Sequence, residues 1–136
     1  MTGTMTSEIF WLTLTTLYTA LLVFPYAVYR INKLGGFWQV FLNPLPGDDP
    51  FDEEWAHRAY RSHMNAFENL ILFAPLAIGV HVTGSSNEVT AMSCAVFFWA
   101  RFLHAPLYIF NVPVVRTAVY FVGLGACFVL GYQLLT

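Results

Sequence analysis

Three ionisable residues, Glu68, Arg101 and Arg116, stand inside stretches otherwise dominated by apolar side chains. A charge at the centre of a membrane helix costs about 2.5–3.5 kcal/mol on insertion scales, so residues placed there usually pair or line a polar cavity. Helical spacing gathers more polar groups around them. Arg58, Arg61, Asn65 and Glu68 follow an i, i+3, i+7, i+10 pattern. At roughly 100° per residue they occupy an arc of about 80°. Arg101, His104 and Tyr108 repeat i, i+3, i+7, and Arg116 and Tyr120 stand one turn apart. A single Glu68 cannot neutralise Arg61, Arg101 and Arg116 together, so the excess of arginine favours an anionic ligand. A structural alternative has Glu68 pairing with Arg101 to hold helices or subunits together, while Arg58 extends toward the membrane interface. Only His104 of the histidines belongs to this group. His57, His63 and His81 are scattered along the second helix, and no metal site is expected from them.

The rest of the composition says what must position these residues. The 136 residues are 57% hydrophobic and 18% aromatic, with only 10% charged. Soluble domains carry about 25% charged residues, so this chain lacks the polar surface to face water on all sides. A lipid bilayer is the natural second solvent. The net charge of −2 and the absence of a basic run exclude a nucleic-acid partner. Cys94 and Cys127 lie in apolar stretches without companion ligands and read as small buried hydrophobes.

Four helices follow, within one domain covering residues 1–136. Ile9 to Tyr29 has no charged residue, and about 20 apolar residues suffice to cross the hydrocarbon core. The stretch before it carries no Lys or Arg, so it reads as a retained helix rather than a signal peptide. Beyond Arg30 and Lys33, the punctuation of Gly35-Gly36, Asn43-Pro44 and Pro46-Gly47 predicts a loop that also holds Asp48 and Asp49. Its aromatic residues Phe37, Trp38 and Phe41 suit the bilayer interface. Asp52, Glu53 and Glu54 favour the positive start of a second helix running from about 53 to 82, bent at Pro75. Ser86 or Asn87 caps a third helix from about 88 to 110. Pro113 opens a fourth from about 113 to 134. Short connections make an antiparallel, up-down bundle.

Depth follows from orientation. Arg30, Lys33, Arg58 and Arg61 flank the first loop, whereas the second loop and both termini carry no basic residue. The excess of basic residues places that loop in the cytoplasm and both termini on the opposite side. Arg61, Asn65 and Glu68, Arg101, His104 and Tyr108, and Arg116 with Tyr120 then share the cytoplasmic half of the bundle.

At these residues the chain resembles the MAPEG family, the membrane-associated proteins in eicosanoid and glutathione metabolism, in a bacterial-type form. The stretch Arg58 to Asn69 is similar to the family's R-x-x-R-x-x-x-N-x-x-E signature. Arg101 to Tyr108 resembles its R-x-x-[HY]-x-x-x-Y element, and Arg116, Thr117 and Tyr120 resemble the group that opens the last helix. The resemblance covers nearly the whole chain. It implies a homotrimer with glutathione as co-substrate, bound between subunits near the cytoplasmic end, and a lipophilic small molecule as the second substrate. It implies that Arg61, Asn65 and Glu68 hold the tripeptide's charged ends and that Arg101, His104 and Tyr108 complete the wall. By the same resemblance Arg116 sits near the thiol with Tyr120 beside it, and Arg30 or Lys33 supplies a further basic contact. The chemistry agrees. Glutathione carries two carboxylates and one ammonium, guanidinium groups grip carboxylates bidentately, and a nearby arginine favours thiolate. Two functions stand open: a glutathione-dependent transferase or peroxidase, and a non-catalytic membrane subunit whose polar cluster serves assembly.

Overall fold

The computed structural model describes residues 3–42 and 51–136, and over these the chain is all-helical. The expected loop positions Asn43-Pro44, Pro46-Gly47, Asp48 and Asp49 lie outside the described residues. In chain order the helices are α1 (Ser7–Leu21), α2 (Phe24–Leu34), α3 (Phe37–Leu42), α4 (Glu54–Thr83), α5 (Glu88–Ile109) and α6 (Pro113–Leu135). Four stretches are long and apolar enough to cross a membrane: Ser7–Leu34, Glu54–Thr83, Glu88–Ile109 and Pro113–Leu135. The reading of a four-helix membrane bundle holds.

The first span differs in detail from the single helix expected over 9–29. It starts earlier, ends later and is interrupted between α1 and α2. Pro25 explains the interruption. It has no N–H to give to Leu21, and its ring crowds that carbonyl. The chain steps through Leu22 and Val23 with tighter bonds, Val23 N–H to Ala20 O at 3.4 Å, and proline then occupies the first turn of α2. Gly35 ends α2 at φ 86° and Gly36 follows at φ 150°, both in the left-handed region where glycine is favoured. The expected loop then begins with the short helix α3, whose Phe37, Trp38, Phe41 and Leu42 are all exposed.

The later boundaries follow their local chemistry. At the start of α5 the Asn87 side chain accepts from the Val89 and Thr90 N–H groups, while the Thr90 hydroxyl accepts from the Asn87 N–H. This reciprocal box satisfies donors that the first helical turn leaves open. Asn111 turns the chain at φ 57°, and Pro113 begins α6.

Lipid tails are as apolar as leucine, so contact quality rather than water exclusion holds such helices together. The core lies between α4, α5 and α6. Phe73 stacks on Phe97 with ring centroids 4.0 Å apart and planes 11° from parallel. Ala77, Val80, Cys94, Ala126, Cys127 and Leu130 surround them, so both cysteines are buried. Gly123 lets α6 approach α5: a Cβ there would stand 3.5 Å from the Ala100 Cβ and 3.8 Å from the Arg101 Cδ. α1 lies along α4 and α5, whereas α2 rests on α4 and α3.

The end of the bundle opposite the arginines has its own polar clasp, which spacing did not reveal. Glu8, in the first turn of α1, is fully buried. Its carboxylate accepts hydrogen bonds from the Ser86 hydroxyl at 2.9 Å and from the Thr90 hydroxyl. It thereby fastens the first span to the turn between α4 and α5. Removing the acceptor leaves the Ser86 hydroxyl without its partner and takes one bond from Thr90, so Glu8→Ala is expected to cost about 1–3 kcal/mol. Thermal unfolding in detergent checks this, with the exposed Glu88→Gln at the same end expected to be nearly neutral.

Candidate polar site

Arg101 is the centre of the site. It projects from α5 into the bundle and is only 3% exposed. Its Nη2 donates to the Asn65 side-chain oxygen of α4 at 2.7 Å and meets His104 Nδ1 at 3.3 Å. Arginine has no acceptor, so Nδ1 must accept and the imidazole proton belongs on Nε2. Asn65 is itself steadied by Asn69, a buried residue one turn on, whose side-chain amide donates to the Asn65 backbone carbonyl at 2.8 Å. Two further arginine nitrogens, Nε and Nη1, are buried without a hydrogen-bond partner among the described residues. Asn65 and neutral His104 supply dipoles but no negative charge. A buried cation in that condition carries a desolvation penalty of several kcal/mol that its neighbours do not cancel.

The aromatic residues continue the group toward α6. The His104 ring lies 5.7 Å from Tyr108 and 6.3 Å from Tyr120, centroid to centroid. The Arg116 guanidinium sits over the Tyr108 ring at 4.6 Å, a cation–π contact that sets its direction. Six expected site residues, Asn65, Arg101, His104, Tyr108, Arg116 and Tyr120, are therefore joined by contacts across three helices. The Tyr18 hydroxyl donates to the Phe102 carbonyl at 3.0 Å and closes α1 against α5 one turn away.

The remaining expected residues are placed differently. Arg61 and Glu68 share the α4 arc with Asn65 but lie at its outer edge and are exposed. Neither has an ion pair among the described residues, so Glu68 does not pair with Arg101 within one chain. Arg58 bonds the Ile109 carbonyl at 2.8 Å and so ties α4 to the end of α5. Arg30 stands apart, stacked over Phe51 at 4.6 Å with Tyr26 at 6.0 Å. Phe51 is further walled by Tyr29, His57 and Tyr60, and the Tyr26 hydroxyl bonds His63 Nδ1 at 2.7 Å. Phe51 and Tyr26 carried no signal in spacing, because their contacts join segments far apart in sequence. Asn69 could have been read from its i+4 relation to Asn65.

An apolar groove of about 670 Å³ runs between α4 and α6, lined by Ile71, Leu72, Pro75, Leu124, Cys127 and Phe128 among others. Ile71 and Leu72 stand three and four residues beyond Glu68. The groove thus continues the α4 edge that bears the exposed acid.

These features define a multi-pass helical membrane protein with an arginine-rich polar group at one end of its bundle. The family model of the MAPEG family matches residues 9–136, nearly the whole chain, and the chain belongs to that family. No curated protein and no solved structure gives a significant match. The resemblance seen in the three motifs holds, and the chain is a membrane protein of the glutathione and eicosanoid metabolism family.

Proposed function

We propose that the chain is a glutathione-dependent transferase or peroxidase acting on lipophilic electrophiles or hydroperoxides. The observation that carries this reading is the buried Arg101 guanidinium, with two nitrogens unpartnered and no carboxylate paired with it among the described residues. A carboxylate of the tripeptide supplies the missing charge and a bidentate acceptor. Arg61, Asn65 and Glu68 hold the charged ends of glutathione, with Glu68 taking the ammonium. Arg101, His104, Tyr108 and Tyr120 form the wall, and Arg116, aimed by Tyr108, stabilises the thiolate.

The site is completed between chains of a homotrimer. Arg61 and Glu68 are exposed on a membrane-spanning helix, where bare charge is costly. Arg30 stacks on Phe51 and Tyr26, apart from the Arg101 group, so a pocket that uses both Arg30 and Arg101 draws them from two copies. In conjugation, the thiolate sulfur attacks an electrophilic carbon and forms the C–S bond, and the displaced group leaves with the electron pair. In peroxide reduction the sulfur attacks the terminal oxygen, the O–O bond breaks, and an alcohol leaves after protonation. The resulting sulfenic acid condenses with a second glutathione to give the disulfide and water. The apolar groove beyond Glu68 suits the body of a lipophilic partner drawn from the membrane.

Calorimetric titration of the purified protein with glutathione tests the binding roles. Arg61→Met and Glu68→Gln are each expected to lose a charge-assisted contact worth about 1.5–3 kcal/mol, or about 10–150-fold in affinity. Unchanged affinity in both variants would remove Arg61 and Glu68 from the site.

The orientation belongs to the same proposal: the α3 side of the bundle is cytoplasmic and both termini face away. A cysteine placed at Asp48, with Cys94 and Cys127 replaced by alanine, is expected to resist an impermeant maleimide in intact cells and react after lysis. Reaction in intact cells would reverse the orientation. The non-catalytic assembly reading draws on the Asn65–Arg101–His104 contacts, which hold α4 to α5 without any ligand. Failure of glutathione to bind would favour it.

A further inference from the structure

Between the end of α2 and the start of α4 lies a second polar concavity, none of whose residues is given a role in the glutathione site proposed above. It has a volume of about 350 Å³ and is lined by Val28, Tyr29, Asn32, Lys33, Glu53 and Trp55. Its depth is fixed by the spans that bound it. The Ser7–Leu34 span has 28 residues. At about 1.5 Å per residue it outreaches a hydrocarbon core of about 30 Å and ends among the lipid headgroups. Lys33 is its penultimate residue, and Asp52 and Glu53 immediately precede α4.

The chemistry of the lining is that of a zwitterion's complement. Lys33 Nζ pairs with an Asp52 carboxylate oxygen at 2.8 Å, and both side chains are more than half exposed. The lining itself holds one cation, Lys33, and one anion, Glu53, and Asp52 stands beside them through its pair with Lys33. The Asn32 amide adds donors, and the Tyr29 hydroxyl is buried without a partner among the described residues. Tyr29 meets Trp55 edge to face at 5.7 Å and holds the indole as one wall. Below the polar ring, Val28 begins an exposed apolar stripe that continues through Phe24, Leu21 and Leu17 at spacings of four, three and four residues. The short α3, which packs against α2, exposes Phe37, Trp38, Phe41 and Leu42, and such aromatic residues settle at the headgroup boundary.

The geometry points to a phospholipid site here, in which an amine-bearing zwitterionic headgroup occupies the cavity and an acyl chain follows the 28/24/21/17 stripe. The phosphate meets Lys33 and Asn32, and the protonated amine meets Glu53 and Asp52. Ethanolamine fits this site because its N–H groups donate to the carboxylates. A headgroup with no cation of its own meets the surplus acid and is repelled.

Native mass spectrometry of the detergent-solubilised protein, offered equal amounts of phosphatidylethanolamine and phosphatidylglycerol, tests the assignment. The ethanolamine lipid is expected to be retained in at least about threefold excess, as charge-assisted contacts on both ends of the headgroup require. Lys33→Met and Glu53→Gln, both at exposed positions, are each expected to abolish that preference, and Glu88→Gln at the far end of the bundle to leave it intact. Equal retention of the two lipids by the unmodified protein would overturn the proposal, as would an unaltered preference in both cavity variants. Soluble glycerophosphoethanolamine displacing the lipid completely would show that the stripe contributes nothing, and so would overturn the acyl half of the site.

Discussion

Arg116→Ala is expected to lower turnover by about 10²–10³-fold, the usual loss when one electrostatic stabiliser is removed from a reacting centre. Glutathione binding should survive largely intact, because the charged ends of the tripeptide are assigned to Arg61, Asn65, Glu68 and Arg101. The reason for separating the roles is geometric. Arg116 opens α6 and is held over the Tyr108 ring, on the far side of His104 from the Asn65–Arg101 pair. A guanidinium held there favours thiolate over thiol, and its loss should return the thiol toward its free pKa of about 8.5. The sign is fixed: with Arg116 present the thiolate persists to lower pH, and in Arg116→Ala it appears only as pH rises toward the free value. Ultraviolet absorbance of the bound thiolate, titrated against pH, reads this directly. Full turnover or an unshifted titration in Arg116→Ala would take this residue out of the mechanism and make Arg30 or the Tyr108 hydroxyl the next candidate.

Asn65→Leu is expected to destabilise the bundle more than the double variant Asn65→Leu/Arg101→Met. Among the described residues Asn65 is the one oxygen acceptor for the buried guanidinium, and losing a hydrogen bond to a charged group costs about 1.5–3 kcal/mol. Removing both partners replaces the pair with apolar volume in a bundle already surrounded by lipid, which is often close to neutral. Thermal unfolding in detergent distinguishes the two, and the double variant should also lose glutathione binding. If the double variant is destabilised at least as much as Asn65→Leu, Arg101 is solvated or paired in some other way. The same series separates the two functional readings, because a cluster serving only assembly would lose its oligomeric state along with its stability.

The helical frame was legible because its signals are local. Apolar runs of sufficient length, the Asn87 cap and the first-turn Pro113 are each decided by residues within a turn or two. Even so, proline did not act uniformly. Pro75 and Pro106 lie within continuous helices, whereas Pro25 divides the first span into α1 and α2. The cost of the missing hydrogen bond is the same in each case, and the packing around it decides whether the helix continues. The face carrying Arg101, His104 and Tyr108 was legible from spacing alone. The rotation of α4 was not: a helical arc contains Arg61, Asn65 and Glu68, but only the neighbouring α5 decides that Asn65 meets Arg101 while the other two face outward. The Glu8 clasp and the seat of Arg30 on Phe51 join segments distant in sequence, and no periodicity encodes such contacts.

Calorimetric titration of the purified, detergent-solubilised protein with glutathione, with thiolate absorbance followed on the same samples, tests the central claim most directly. Saturable binding at one site per chain, accompanied by thiolate near neutral pH, is the expected result. No heat of binding and no thiolate at millimolar glutathione would contradict it, leaving the polar group around buried Arg101 as a device for holding the membrane assembly together.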